Sequence, residues 1–158
     1  MTGQLYDLSA VELRRLIGRK EVSPVDVLES CLTRIANMNP KLNAIVTLCE
    51  DRAREEARRA EKAELDGDEL GLLHGLPIGI KDLQQTAGVR TTMGSPLLAN
   101  HVPARDERVV AAVRQAGAIV VGKTNVPEFG AGANTVNRVF GATRNPFNPD
   151  LTCGGSSG

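Results

Sequence analysis

Apolar positions in the first part of the chain recur at helical spacing. Ser9 and Glu12 have the arrangement of a capping box, and Val11, Leu13, Leu16 and Ile17 then form one stripe up to Gly18, which predicts a short amphipathic helix. Ser23 and Pro24 supply a second start: a capping hydroxyl, then a proline whose missing N–H is harmless in the first turn. Val25, Leu28, Cys31, Leu32 and Ile35 continue that helix, and Asn39-Pro40 is read as its stop. The two are expected to form an N-terminal helical hairpin over residues 1–40. Ala44 to Leu48 is a short apolar run suited to a strand. Glu50 to Glu64, dense in Arg, Glu, Lys and Ala, predicts a solvated helix with a charged exposed face, closed by the loop Asp66-Gly67-Asp68.

The pattern changes at Leu76. Leu76 to Ile80 and Ala118 to Val121 are β-branched runs with strand character, while Gly, Pro, Thr and Asn become frequent around them. Between these runs Val109, Val110 and Val113 recur at helical spacing over Arg108 to Ala116, with Asp106 as candidate cap and Gly117 as stop. Strand, helix, strand is the order that packs helices on a mixed or parallel sheet, so an α/β fold is expected. Gly130-Ala131-Gly132-Ala133-Asn134 and the segment Thr152 to Gly158 are too rich in glycine for regular structure and read as loops of close approach.

Composition narrows the function classes. The 158 residues are enough for one domain, and 41% apolar with 24% charged residues is ordinary for a globular chain. Nineteen basic and nineteen acidic side chains cancel, so no field favours nucleic acid or an anionic membrane. Asp7, Glu12, Arg14, Arg15, Arg19 and Lys20 interrupt the first twenty residues, which excludes the apolar core of a signal peptide, and no segment is apolar for long enough to span a bilayer. Cys31, Cys49 and Cys153 are odd in number and widely spaced, which suits a reducing cytoplasm better than a disulfide framework. His74 and His101 stand alone and read as packing or surface residues. No metal and no cofactor are expected.

One pattern points elsewhere. Gly117 to Thr124, GAIVVGKT, satisfies the phosphate-loop signature. A working loop of that kind leaves a strand and cradles phosphate with its backbone N–H groups, yet here the middle residues are themselves a β-branched strand and a helix precedes them. The nucleotide reading is therefore set aside.

Lys81 closes the run Leu76-Pro77-Ile78-Gly79-Ile80, where strand alternation places it on the side of Pro77 and Gly79. On local sequence alone it is a solvated lysine paired with Asp82. Gly154-Gly155-Ser156-Ser157-Gly158 on its own is the composition of a flexible linker or a cloning remnant. Taken together, Gly75 to Asp82, Gly122-Lys123-Thr124-Asn125-Val126-Pro127-Glu128-Phe129 and Gly154 to Gly158 occur in an order that resembles the amidase signature family. Thr91-Thr92 before Gly94-Ser95, Ala116 to Ile119, and Gly141-Ala142-Thr143-Arg144-Asn145-Pro146 resemble its intervening text. The resemblance is dense from Gly71 to Gly158 and loose over the N-terminal helices. It departs at Cys153, where many members carry proline, a change expected to loosen the approach to the serine loop.

The resemblance implies a mixed sheet surrounded by helices and a Ser, cis-Ser, Lys triad that hydrolyses or transfers amide groups. Lys81 would be the base, uncharged through desolvation so that it can accept a proton. Ser156 would relay the proton, reached through a cis peptide from Gly155 that costs about 3 kcal/mol and that flanking glycines make sterically accessible. Ser157 would support that loop by hydrogen bonding, and Gly130 and Gly132 would line the acyl pocket. The nucleophile and the oxyanion hole would lie on a loop roughly two dozen residues further on, so the chain is expected to be the N-terminal part, 1–158, of a single domain (1–40 hairpin, 71–158 signature half), with an incomplete sheet, exposed edges and no activity by itself. A small-molecule amide is the expected substrate. The resemblance leaves three readings open: a free amidase, the amidase subunit of a tRNA-dependent amidotransferase, and a non-catalytic truncated fragment. A homodimer of the full-length enzyme is also left open.

Overall fold

The structure, a computed structural model, describes residues 4–158; residues 1–3, part of the stretch read above for a leader, lie outside it. Helix α1 spans Ala10–Gly18 and α2 spans Pro24–Leu42. Both begin with capping boxes: Ser9 Oγ accepts from Glu12 N and Ser23 Oγ from Asp26 N, while Glu12 and Asp26 accept from the cap residues' own N–H groups. The donors stranded in a first helical turn are thereby paired by residues three positions away, which is why the sequence pattern locates these starts.

Helix α2 does not stop at Asn39-Pro40 as its sequence suggests. Proline removes one N–H near the end of the helix, and the chain continues to Leu42 until Asn43 turns it in the left-handed region at φ 53°. Asn39 closes the end with its side chain, Oδ1 accepting from Ala44 N at 3.0 Å and Ile45 N at 2.8 Å. Strand β1 (Ile45–Leu48) leads into α3 (Glu50–Asp66), which ends at Gly67 with φ 80°. The charged face of α3 is solvated, but Ala53, Ala57 and Ala60 on the opposite face are buried, as is Glu64. Small side chains on that face permit close packing against the sheet.

Strand β2 (Pro77–Lys81), helix α4 (Arg108–Gln115) and strand β3 (Ile119–Thr124) follow. The sheet order is β1-β3-β2, with β1 antiparallel and β2 parallel to the central β3, so the sheet is mixed. Alternation along β3 divides its side chains between two layers. Ile119 and Val121 pack with Leu28 and Leu32 of α2 and Ala53 and Ala57 of α3. Val120 packs with Ile80 of β2 and Val110 of α4 on the other face. Burial on both faces explains why β3 reads as a continuous apolar run. A third cluster joins Leu13 and Ile17 of α1 to Val27 of α2 and Leu76.

One local expectation is corrected. Helix α4 is entered through Glu107, without a side-chain cap; Asp106 instead accepts from Ala87 N at 2.7 Å and pairs with Arg114 at 3.3 Å. Of the packing and surface readings of His74 the structure selects packing: the ring is buried, with Nε2 3.0 Å from Ala60 O. A two-stranded hairpin, β4 (Val136–Asn137) with β5 (Gly141–Ala142), and three single-turn 3-10 helices, Leu5–Asp7, Pro96–Leu98 and Glu128–Gly130, complete the described elements.

Candidate active site

Lys81 is the last residue of β2, opposite Thr124 of β3. The pairing of β2 with β3 shifts between Ile78 and Gly79, and beyond that irregularity Ile80 points into the core while Lys81 lies half-buried on the other side. Its Nζ donates to Ser156 Oγ at 3.2 Å, a contact between residues 75 apart in sequence.

Asp82 does not pair with Lys81, contrary to the local reading. It is wholly buried and accepts from Thr92 N at 3.1 and 3.2 Å and from Thr92 Oγ1 at 2.5 Å. Its own N–H donates to Thr124 O at 2.8 Å, and its carbonyl accepts from Met93 N at 3.0 Å. Burial raises the Asp82 carboxyl above the usual range, against the opposing effects of the Thr92 hydrogen bonds and the Lys123 charge. Asp82 thus ties the segment after Lys81 to the Thr92 turn.

Lys123, the lysine of the set-aside phosphate-loop pattern, is also wholly buried. Its Nζ donates to Thr86 Oγ1 at 2.8 Å, to Thr91 Oγ1 at 3.0 Å and to Gln84 O. All three donor positions of the amine are occupied by protein, so it has none left for a phosphate. Burial pushes this ammonium down to about 8, with the Asp82 carboxylate opposing.

The Gly154–Gly158 loop carries Ser156. No cis peptide bond is present among the described residues, so the expected cis bond before Ser156 is not found. The trans form is lower by about 3 kcal/mol for a non-proline peptide, and the loop's hydrogen bonds are all made with the bond trans. Ser157 is exposed and makes no hydrogen bond among the described residues. The loop is held instead by Thr135, whose Oγ1 donates to Gly155 O at 2.9 Å and accepts from Gly158 N at 3.2 Å. Cys153, expected to loosen this approach, donates from Sγ to Gly155 O at 3.3 Å.

Gly130 and Gly132 lie in the preceding loop, with φ values of 74° and 154°. A Cβ on Gly130 would meet Leu83 Cδ2 at 3.1 Å, and one on Gly132 would meet Pro127 Cβ at 3.3 Å. The structure brings Lys81 and Ser156 together and places these glycines against Leu83 and Pro127. Sequence reasoning missed Thr135, Asp82 and Lys123 as organisers of the site. Lys123 carries a legible signal, an amine inside a β-branched run; Thr135 carries none, because its partners lie 20 and 23 positions away.

Among the described residues no group of three or more His, Cys, Asp or Glu is placed to hold a metal ion, and no helix is long and apolar enough to cross a membrane. The family model described as Amidase matches residues 26–158. A glutamyl-tRNA(Gln) amidotransferase subunit from Thermosynechococcus vestitus is 45% identical over 147 residues, which are 93% of this chain and 30% of that protein. Its counterpart from Geotalea daltonii is 43% identical over 155 residues, 98% of this chain and 32% of that protein. Among solved structures, a bacterial aryl acylamidase of the amidase signature family superposes with a TM-score of 0.89 at 35% identity, over 95% of this chain and 31% of that one. Fatty acid amide hydrolase superposes with a TM-score of 0.91 at 27% identity, over 99% of this chain and 28% of that one. The chain thus spans about a third of the length of the relatives it matches, and over that span both its sequence and its mixed sheet assign it to the amidase signature family.

Proposed function

We propose that the protein hydrolyses carbon–nitrogen amide bonds, with Lys81 as the base and Ser156 as the proton relay. The observation that carries this reading is the 3.2 Å contact between Lys81 Nζ and Ser156 Oγ. In this role the Lys81 amine takes the Ser156 hydroxyl proton while Ser156 takes one from the attacking group; the protons then return by the same path to the departing amine. The family resemblance implies an attacking serine on a loop outside residues 1–158, so the reading concerns a full-length protein acting on a small-molecule amide. Three free, widely spaced cysteines support a reducing, cytoplasmic setting.

A second reading, amide transfer within a glutamyl-tRNA amidotransferase, is favoured by the names of the curated relatives at 41–45% identity. Glutamine hydrolysis that requires co-expressed partner proteins supports it, whereas turnover of simple aryl amides by the protein alone supports a free amidase. In either case Lys81→Ala in the full-length protein is expected to lower kcat by about 10³-fold or more, by analogy with losing one member of a nucleophile–base unit. Retention of full activity in that variant removes Lys81 from the role of base.

A further inference from the structure

The Ser156 loop is fastened mainly by one side chain outside it. Thr135 is 1% exposed, and its hydroxyl bonds Gly155 O on one side of the serine pair and Gly158 N on the other. Apart from these two, the hydrogen bonds of residues 154–158 among the described residues are Lys81 to Ser156 and Cys153 to Gly155 O, while Gly158 packs against the backbone of Ala44 and Asn125. Thr135 is itself fixed to the core. Its carbonyl accepts from Thr143 N at 3.0 Å. Thr143 Oγ1 donates to Asn43 O at 2.7 Å, where Asn43 ends α2, and accepts from Asn125 Nδ2 at 3.1 Å just beyond β3. A rigid chain of hydrogen bonds therefore runs from α2 and β3 to the two peptides that bracket Ser156-Ser157.

We propose that Thr135 is a positioning residue for the amide chemistry: its hydroxyl orients the peptides on both sides of the serine pair so that Ser156 Oγ faces Lys81 Nζ. The inference rests on the reading of Lys81 and Ser156 as base and relay. A hydroxyl suits the task because it offers one proton to a carbonyl and a lone pair to an N–H at once. Serine keeps both bonds; valine keeps the shape and loses both.

The test compares Lys81→Ala, Thr135→Val and Thr135→Ser in the full-length protein, with kcat and KM measured on one small amide. Thr135→Val is expected to lower kcat by about tenfold or more with KM within about twofold, since misplacing a reacting group costs rate and not substrate affinity. Thr135→Ser is expected to restore kcat to within about threefold of the parent. An inactive Lys81→Ala beside a Thr135→Val with parental kcat overturns the role of Thr135 alone; an active Lys81→Ala overturns the underlying reading. Amide hydrogen exchange in the unsubstituted protein decides the matter if Thr135→Val does not fold. Protection of the Gly158 N–H in step with that of Thr143 is expected, and exchange of Gly158 at the rate of an open peptide overturns the proposal.

Discussion

At the scale of single residues, the molecule spends its buried hydrogen bonds on fixing the segment that follows Lys81. Lys123 gathers Gln84, Thr86 and Thr91 around one amine, and Asp82 gathers Thr92 and Gly94 through the Thr92 hydroxyl. A wholly buried ammonium is destabilised by desolvation, and this has a pH signature. The unfolded lysine keeps its proton to about 10.5, whereas the folded one releases it near 8, so between those values the unfolded state holds more protons and Lys123 makes stability rise with pH. Lys123→Met leaves two hydroxyls and a carbonyl without their donor and is expected to cost about 1–3 kcal/mol. Denaturant unfolding at pH 7.5 and 9.5 should show the gap between parent and variant widening at the higher pH; a gap that does not change with pH contradicts the buried titration. The polar ring around Lys123 was not readable from the sequence, because its members lie 32 to 39 positions away.

At the scale of elements, the join between β1 and β3 is tightly constrained. Gly122 faces β1 so closely that an added Cβ would lie 2.3 Å from Thr47 O. Its place in a GK-[ST] pattern reflects this approach of two strands, since the backbone around it is extended and engaged on both edges. Gly122→Ala must force the strands apart and is expected to cost about 1–3 kcal/mol. Amide exchange should accelerate along β1 while the β2–β3 pairing stays protected; equal protection on both sides would show that the contact is not close in solution. Helix starts behaved differently from this join. The box at Ser9 and the cap at Ser23 were legible because each acts within three residues, whereas the Asp26 half of the second box came only with the structure and the end of α2 depended on Asn43, whose side chain reaches Phe140 O at 2.8 Å across 97 positions.

At the scale of the whole molecule, the helices α2 and α3 and the helix α4 enclose the central strand from opposite sides, so the heart of the fold is the two faces of β3. Leu28, wholly buried between α2, α3 and β3, should lose about 2–5 kcal/mol on Leu28→Ala. Leu97, 85% exposed, should change by no more than about 0.5 kcal/mol on the same substitution. Thermal or denaturant unfolding of the two variants measures the contrast, and similar losses in both would mean that the core is not where these clusters place it. The sequence by itself determined what depends on near neighbours and on period: the helix starts, the β-branched strands, the strand-helix-strand order that implies an α/β fold, and the ordered segments that mark the family. It also singled out Lys81 and Ser156, through the resemblance and not through any local signal. Only the tertiary structure decided that Asp82 turns inward to Thr92, that Lys123 is caged, and that Thr135 holds the serine loop. Each of these rests on bonds between groups ten to forty positions apart, whose pairing is set by the register of β2 on β3 and by loop closure, and neither composition nor periodicity carries that information.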